Sequence, residues 1–434
     1  MFIFSLNLKL AIKLFKHPHT MKILHTADWH IGQTFFGYDR TEEHQAFFDW
    51  LATQIKEQEI DALLIAGDIF DVANPSAQAQ KRFYRFIKNI TTANPGLQIV
   101  VIAGNHDSAA RLETPMPLLE GLDIHIKGTI QRDETGQIDV EDLIVRLHDR
   151  TGNSRVWCMA IPYLRTGDYP PPETEDGSYA AGIKSMYETV YRTIEQRKTP
   201  GEAVIAMGHL QAANCSLSED DSSERLLIGG LEGIPTDTFP PGITYTALGH
   251  IHREQRVGKR ENVRYAGSPL PMSFAEENYQ HGVILLEIEN GKLLRQEKLT
   301  FSPSVRLLRI PQKPKPLPEV MRELSALPPE CPGEAAPYLE VRVLLTGPEP
   351  SLRHQIEEAV EKKHVRLTRV VPFYPATPDM PGENGDPTSE QLMAPLEMIQ
   401  AVYQQKYNTE LPETLLKLFM EALQESYRKT ESRS

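Results

Sequence analysis

The stretch MKILHTADWHIG, residues 21–32, decides how this chain folds. KILHTAD (22–28) is typical of a β-strand, and Asp28 and His30 lie where that strand ends. Four more apolar runs end in a glycine followed by Asp, Asn or His: DALLIAGD (61–68), QIVVIAGN (98–105), EAVIAMGH (202–209) and ITYTALGH (243–250). Open α/β sheets place their sites at the carboxyl ends of parallel strands. We therefore expect these polar residues to meet at one edge of the fold.

Helical patterns alternate with these strands and predict an α/β fold. One helix is predicted from Asp39, with Asp39 and Glu42 spaced as a capping box, and others near 75–90 and 183–197. The Asn290-Gly291 pair predicts a hairpin turn. The expected architecture is a layered core of sheets flanked by helices, with a smaller α/β cap domain and a C-terminal helical tail.

Composition shifts predict the domain boundaries. Residues 1–20 contain no acidic residue and no ordered signal-peptide pattern, so they are interpreted as an unstructured extension. The core is expected over 21–305, and the Pro-rich stretch PQKPKPLPEV (311–320) is interpreted as a linker near the boundary. A cap domain is predicted over 306–380, and a linker with a helical tail over 381–434.

Charge, hydropathy and cysteine usage limit the classes of function. The formal net charge of −13 argues against tight, unaided binding to nucleic acid, unless metals, a local basic patch or a basic partner reverse the sign locally. The sequence contains no run of 18 apolar residues, so no membrane span is predicted. Three widely spaced cysteines, Cys158, Cys215 and Cys331, favour neither disulfides nor a thiolate metal site. A reducing, cytoplasmic location is expected.

The polar residues at the strand ends form a coherent set of metal ligands. They offer carboxylate, amide and imidazole donors without a thiolate, a set that suits Mn²⁺, Fe²⁺ or Zn²⁺. A single Asp or His after a strand is usually a cap or a satisfied loop residue, and a single GNHD can be merely a turn. Five such segments in order favour a metal site. The predicted ligands are Asp28, His30, Asp68, Asn105, His209, His250 and His252.

Local geometry supports the convergence of two pairs. In an extended chain, residues two apart point to the same side, so Asp28 can converge with His30, and His250 with His252. One carboxylate can bridge two ions about 3.5–4 Å apart, the spacing used for in-line displacement at phosphorus. The pattern therefore indicates a phosphoesterase with two divalent ions.

The order D-x-H, G-D-x-x-D, G-N-H-D, G-H, G-H-x-H resembles that of the calcineurin-like metallophosphoesterases. Within that family, MKILHTADWHIG, AGDIFD, IAGNHDS and YAGSPLPMSF resemble the nuclease subunits of bacterial SbcCD-type complexes, which belong to the double-strand-break-repair nucleases. The resemblance covers about residues 21–300 with specific motifs. Over the cap domain and the tail, only the organisation is similar.

The resemblance implies a role for each motif residue. His106, next to a ligand but not itself one, would stabilise the transition state or protonate the leaving oxygen. Asp71 stands where some relatives carry histidine; it could orient a ligand histidine, assist proton transfer or simply cap the turn before the 75–90 helix. His25 is expected to be structural. The implied first metal site is Asp28, His30, Asp68 and His252, and the second is Asp68, Asn105, His209 and His250, with Asp68 bridging.

The resemblance also implies an activity and partners. The implied activity is that of a Mn²⁺-dependent 3′→5′ exonuclease on duplex DNA and an endonuclease on single strands and hairpins. The implied partner is an SMC-like coiled-coil ATPase. In that complex this chain would form a homodimer within a heterotetramer. The chain has no G-x-x-x-x-G-K-[ST] loop, so ATP dependence would come from that partner. The tail, with Leu396, Ile399 and Tyr403 at helical spacing, is predicted to dock on it. Another calcineurin-like phosphodiesterase or phosphatase remains the alternative.

Overall fold

The computed structural model describes residues 20–374, without 120, 152–153, 172–177, 214, 216–232, 332, 334 and 348, and additionally Leu415. The chain divides into two units, one ending at Phe373 and the other comprising residues 374–434. The helices and strands named in this subsection belong to the first unit. The predicted extension (1–20) lies outside the described residues except for Thr20, and the predicted tail (381–434) except for Leu415.

Two six-stranded sheets form the centre of the fold. The first sheet contains β1 (Met21–Thr26), β4 (Ala62–Ala66), β5 (Gln98–Ile102), β6 (Ile124–Lys127), β13 (Gly282–Glu289) and β14 (Lys292–Thr300). The second contains β7 (Ile144–His148), β8 (Ser154–Ala160), β9 (Ala203–His209), β10 (Tyr245–Gly249), β11 (Gln255–Val257) and β12 (Arg260–Tyr265). The strand order is β14-β13-β1-β4-β5-β6 in the first sheet and β11-β12-β10-β9-β8-β7 in the second.

In each sheet four neighbouring strands run parallel, β1-β4-β5-β6 and β8-β9-β10-β12. A short hairpin, β2 (Thr34–Phe35) with β3 (Tyr38–Asp39), follows β1. Among the described residues, the α-helices of the unit are α1 (Thr41–Glu57), α2 (Ala77–Ala93), α3 (Ala109–Glu113), α4 (Met116–Leu119), α5 (Tyr179–Glu195), α6 (Leu317–Ser325) and α7 (Leu352–Val360).

Alternation along the strands explains the layers. On β4, Leu63 and Ile65 pack under α1 and α2, whereas Leu64 points into the apolar layer between the two sheets. On β9, Ile205 belongs to that same middle layer, and Val204 packs under α5. Because both faces of these strands are buried, they are continuously apolar. The result is a helix–sheet–sheet–helix arrangement, which confirms the predicted layered α/β core.

A separate three-stranded parallel sheet follows the core. It has the order β15 (Leu307–Pro316), β16 (Tyr338–Leu344), β17 (Arg366–Phe373), with α6 and α7 packed on it. The linker predicted over 311–320 is wrong, because this stretch completes β15 and begins α6. The prolines of β15 are tolerated because β15 is an edge strand whose register shifts after Ile310. Pro318 is tolerated because it lies in the first turn of α6. The boundaries at 305 and 380 stay predictions.

Two local predictions had different outcomes. The hairpin turn is confirmed, because Asn290 and Gly291 connect β13 to β14 with φ values of 48° and 76°. The capping box is wrong: α1 begins after Arg40 without a side-chain cap, and Asp39 accepts a hydrogen bond from the Thr41 amide instead. Within the described part of the chain, none of the helices combines the length and the apolarity that a membrane crossing requires.

Candidate metal centre

The five motif segments lie at the carboxyl ends of β1, β4, β5, β9 and β10. Three of these strands belong to the first sheet and two to the second, so the site spans the seam between the sheets. All six predicted Asp and His ligands are buried. The pattern of apolar run, glycine and polar residue therefore predicted correctly where these side chains lie.

Four of the predicted ligands have a left-handed backbone. Asp28, His30, Asp68 and His250 have φ values of 56°, 44°, 49° and 100°. The expectation that Asp28 and His30 converge along an extended strand is therefore wrong; tight turns after β1 bring them together. Non-glycine residues in this region cost of order 1–3 kcal/mol each and cluster at functional sites. Backbone hydrogen bonds support these turns, such as Asp28 N to Gly67 O and His30 N to Asp68 O, both 3.0 Å.

One group of possible ligands consists of Asp28, His30 and His252. Their ligand atoms all lie within 4.8 Å of one another, and all three residues are buried. The Asp28 Oδ1 atom accepts a hydrogen bond from the His250 amide at 2.9 Å, while Asp28 Oδ2 and both ring nitrogens of His30 have no hydrogen-bond partner. Buried polar atoms without partners are costly, and a bound cation would satisfy them.

A second group consists of Asp68, His209 and His250, again within 4.8 Å. His209 Nδ1 donates to Ala66 O at 2.9 Å, so Nε2 is directed to the Asp68 carboxylate, 3.3 Å away. The side-chain oxygen of Asn105 lies 2.9 Å from His209 Nε2 and 3.0 Å from His250 Nδ1. Asn105 thus joins this group, as the motif order suggested.

Asp68 lies between the two groups. Its Oδ2 atom is 3.3 Å from His209 Nε2 and 3.7 Å from His30 Nε2, and its Oδ1 atom accepts the His106 amide at 2.9 Å. Burial alone would raise the pKa of Asp68, but His209, His30 and His106 hold it well below its usual range. The surrounding histidines therefore favour Asp68 as a carboxylate between the groups, the form that a bridging ligand takes.

Two further pKa shifts describe the charge balance. Burial raises the pKa of Asp28, against the opposing effect of nearby histidines, because its charge is far from water. Burial also lowers the pKa of His250 to about 3, which keeps its imidazole neutral. A neutral imidazole and a buried carboxylate are the forms that bind a divalent ion. The donor set fits two ions of the Mn²⁺, Fe²⁺ or Zn²⁺ type.

His106 and Asp71 lie beside the two groups. His106 is half-buried, and its Nδ1 donates to the backbone oxygen of Asp71 at 2.8 Å. Burial lowers the pKa of His106 below its ordinary value, an effect that the charge of Asp68 opposes. The Asp71 carboxylate lies 3.5 Å from His30 Nδ1. Helix α2 is capped by Ser76 rather than by Asp71, and the role of Asp71 stays a prediction.

Asp107 has a structural role that the sequence did not reveal. Its buried carboxylate accepts hydrogen bonds from Gly104 N, Ile69 N and Phe70 N at 2.9, 3.1 and 3.0 Å. Asp107 therefore locks the GDIFD turn to the GNHD turn. Gly104 has to be glycine here, because a Cβ would lie 2.1 Å from the Asp68 carboxylate.

Histidines outside the motifs are accounted for by packing. His25 is buried and bonds to the Tyr245 hydroxyl at 3.0 Å, and burial lowers its pKa to about 3. His44 is also buried and contacts the backbone oxygens of Arg40 and Trp29. His44 thus contacts the turn at Trp29 beside the site, and His25 connects β1 to β10, in agreement with the structural interpretation of His25.

Two family models match the chain. The calcineurin-like phosphoesterase model matches residues 21–254, and the model described as the type 5 capsule protein repressor C-terminal domain matches residues 303–407. The first match contains every predicted ligand. The second overlaps the three-stranded sheet described above.

Curated relatives extend this similarity over most of the chain. The SbcD subunit of the SbcCD nuclease of Rhodobacter capsulatus is 39% identical over 366 residues, which are 82% of this chain and 88% of the relative. The corresponding SbcCD nuclease subunit of Escherichia coli is 36% identical, covering 64% of this chain and 68% of its own. The Bacillus subtilis protein of the same name is 31% identical, with coverage of 67% and 72%.

Proposed function

Because this chain belongs to the calcineurin-like phosphoesterases, and among them to the family of SbcD nucleases, we propose that it hydrolyses DNA phosphodiester bonds with two divalent ions. Mn²⁺ is the proposed ion. The proposed modes are a 3′→5′ exonuclease on duplex DNA and an endonuclease on single strands and hairpins. The observation that carries the chemistry is the position of Asp68, a buried carboxylate with one oxygen 3.3 Å from His209 and 3.7 Å from His30.

The proposed ligand set has two halves that share Asp68. Bound there, two divalent ions would activate a water molecule and neutralise charge on the phosphate. Each histidine must present an unprotonated nitrogen, and the bond from His209 Nδ1 to Ala66 O selects Nε2 for this. The first ion would be held by Asp28, His30, Asp68 and His252, and the second by Asp68, Asn105, His209 and His250.

His106 is proposed as the residue that contacts the reacting phosphate. Its Nδ1 is committed to Asp71 O, so Nε2 is the nitrogen that can exchange a proton with a phosphate or leaving-group oxygen. Burial lowers the pKa of His106 in the free protein, and the negative charge of an approaching phosphate would raise it again.

A comparison of substrates tests this function. With Mn²⁺, we expect the protein to cleave DNA oligonucleotides and to be much less active on small aryl phosphate monoesters, because the GDIFD and GNHD segments contain no arginine to bind a monoester dianion. The measurement is product formation on both substrates in the same metal-loaded preparation. Efficient monoester hydrolysis without DNA cleavage would favour the alternative, a phosphatase.

The proposed partner is the coiled-coil ATPase subunit of an SbcCD-type complex, since the relatives are named as subunits of such a complex. The net charge of −13 predicts weak DNA binding by this chain alone. A partner would therefore supply much of the DNA affinity. A homodimer within a heterotetramer is proposed for the assembly, and the cytoplasm, next to the nucleoid, for its location.

Truncation after Pro381 tests the predicted role of the tail. We expect the shortened chain to bind Mn²⁺ and to cleave short single strands normally, because all proposed ligands precede residue 253. It should no longer co-purify with the ATPase and should lose ATP-stimulated digestion of duplex DNA. Loss of metal binding would show that the tail belongs to the core, and undiminished co-purification would place the docking surface elsewhere.

A further inference from the structure

The segment from Gly267 to Glu276 holds His252 at both its backbone and its side chain. The Ser268 amide donates to His252 O at 3.0 Å, and His252 Nδ1 lies 3.1 Å from Glu276 Oε1. Gly267 has φ +75°, and a Cβ at this position would lie 2.6 Å from His252 O and 2.7 Å from Glu254 N. The close backbone approach therefore requires glycine, and it brings Glu276 to the imidazole.

Glu276 is fully buried, and both of its oxygens have defined partners. Oε1 faces His252 Nδ1, while Oε2 accepts from the Met272 amide at 3.0 Å and lies 3.4 Å from Ser268 Oγ. The Met272 amide can only donate. With Glu276 as a carboxylate, which can only accept, this geometry places the proton between Glu276 and His252 on Nδ1.

The turn that carries Glu276 is fixed by neighbouring elements. Phe274, two residues earlier, packs with Phe35 and with Tyr338 of β16 in one buried cluster. The next residue, Glu277, forms an ion pair with Arg309 of β15 at 3.4 Å. The carboxylate of Glu276 is thus held by the core on one side and by the three-stranded sheet on the other.

We propose that Glu276 is a positioning residue of the metal centre, which fixes the Nδ1–H form of His252 so that Nε2 serves as the ligand beside Asp28 and His30. Carboxylates behind ligand histidines orient the ring and increase its basicity. The inference rests on the proposed metal site but not on the identity of the substrate. It also explains why a glutamate outside the metal-binding motifs is fully buried.

The variant Glu276→Gln tests the proposal while keeping the size of the side chain. The Met272 amide requires an acceptor, so the amide oxygen of the glutamine has to occupy the Oε2 position, and the NH₂ group then faces His252 Nδ1. This arrangement favours a proton on Nε2, which blocks ligation. In ¹⁵N spectra of metal-free protein we expect His252 to change from the Nδ1–H to the Nε2–H form. Affinity for one of two Mn²⁺ ions should fall about 10–100-fold.

Glu340→Gln is the matched control. Glu340 is as buried as Glu276, but it pairs with Arg309, Arg342 and Arg369 in the three-stranded sheet. This variant is expected to lower the melting temperature without changing the His252 tautomer or the Mn²⁺ affinity. Glu276→Asp keeps the negative charge, so His252 should be found in the Nδ1–H form more often in this variant than in Glu276→Gln.

Three outcomes separate this inference from the proposed function. If Glu276→Gln keeps the Nδ1–H form and wild-type Mn²⁺ affinity, Glu276 is merely structural and the inference is overturned. If the glutamine variant does not fold, an Nε2–H form of His252 in the metal-free wild-type protein would overturn it equally. If both glutamate variants behave as expected but the wild-type protein does not cleave DNA, the proposed function fails while the role of Glu276 stands.

Discussion

Asp68→Ala is expected to abolish hydrolysis of every substrate. Its carboxylate lies between the two ligand groups, 3.7 Å from His30 and 3.3 Å from His209. Without this carboxylate both ions lose a charged ligand, so we expect the transition state to lose several kcal/mol of stabilisation. Such a loss corresponds to a rate decrease of at least about 10³-fold. The measurement is Mn²⁺-dependent cleavage of a labelled oligonucleotide, together with metal content after dialysis.

Asp61→Ala is the matched control for this variant. Asp61 is also a buried aspartate, but it lies at the opposite end of β4, where it binds the Lys22 amide. It should lower stability and leave the metal content of the folded protein unchanged. Near-normal nuclease activity in Asp68→Ala would mean that the ions, if two are bound, are not bridged at this position.

His106→Ala is expected to separate metal binding from turnover. Its Nδ1 is bonded to Asp71 O, and its ring lies edge-on to the His30 ring with the centroids 4.9 Å apart. Because His106 is proposed to contact the phosphate and not an ion, both ions should still bind. Turnover should fall about 10²–10⁴-fold, the usual contribution of a positioned proton donor or acceptor. The measurements are titration calorimetry with Mn²⁺ and the rate of DNA cleavage at saturating metal.

His125→Ala provides the control for His106. His125 is a half-buried histidine on β6 that belongs to neither ligand group. We expect both metal binding and turnover to persist in that variant. Loss of one Mn²⁺ ion from His106→Ala would instead identify His106 as a ligand, and the proposed division of roles would be wrong.

The sequence predicted the layered fold and the location of the polar side chains well, because both depend on short-range patterns. Apolar strands such as DALLIAGD are unambiguous, and the residue after each strand has to lie at the sheet edge. The left-handed turns at Asp28 and Asp68 could not be predicted in the same way. They depend on backbone hydrogen bonds between segments that are distant in sequence.

Supporting residues were harder to find than candidate ligands. Asp107 belongs to the GNHD segment, but its role depends on hydrogen bonds from the Ile69 and Phe70 amides. These residues are distant in sequence and come close to Asp107 only in the folded protein. Glu276 gives no local signal, since its partner His252 lies 24 residues away. The prediction of a linker at 311–320 was wrong because proline does not always end a strand. Proline lacks the amide hydrogen that a central strand donates on both sides, but an edge strand such as β15 pairs on one side only and can accommodate it.

The ligand assignment is tested most directly by a crystal structure with Mn²⁺, using anomalous scattering to locate the ions. We expect two peaks about 3.5–4 Å apart, the usual spacing of such pairs, with Asp68 contacting both. His252 should bind the ion shared with Asp28 and His30, and His209 and His250 the other. A single peak, or two peaks without Asp68 between them, would contradict the proposed two-metal centre.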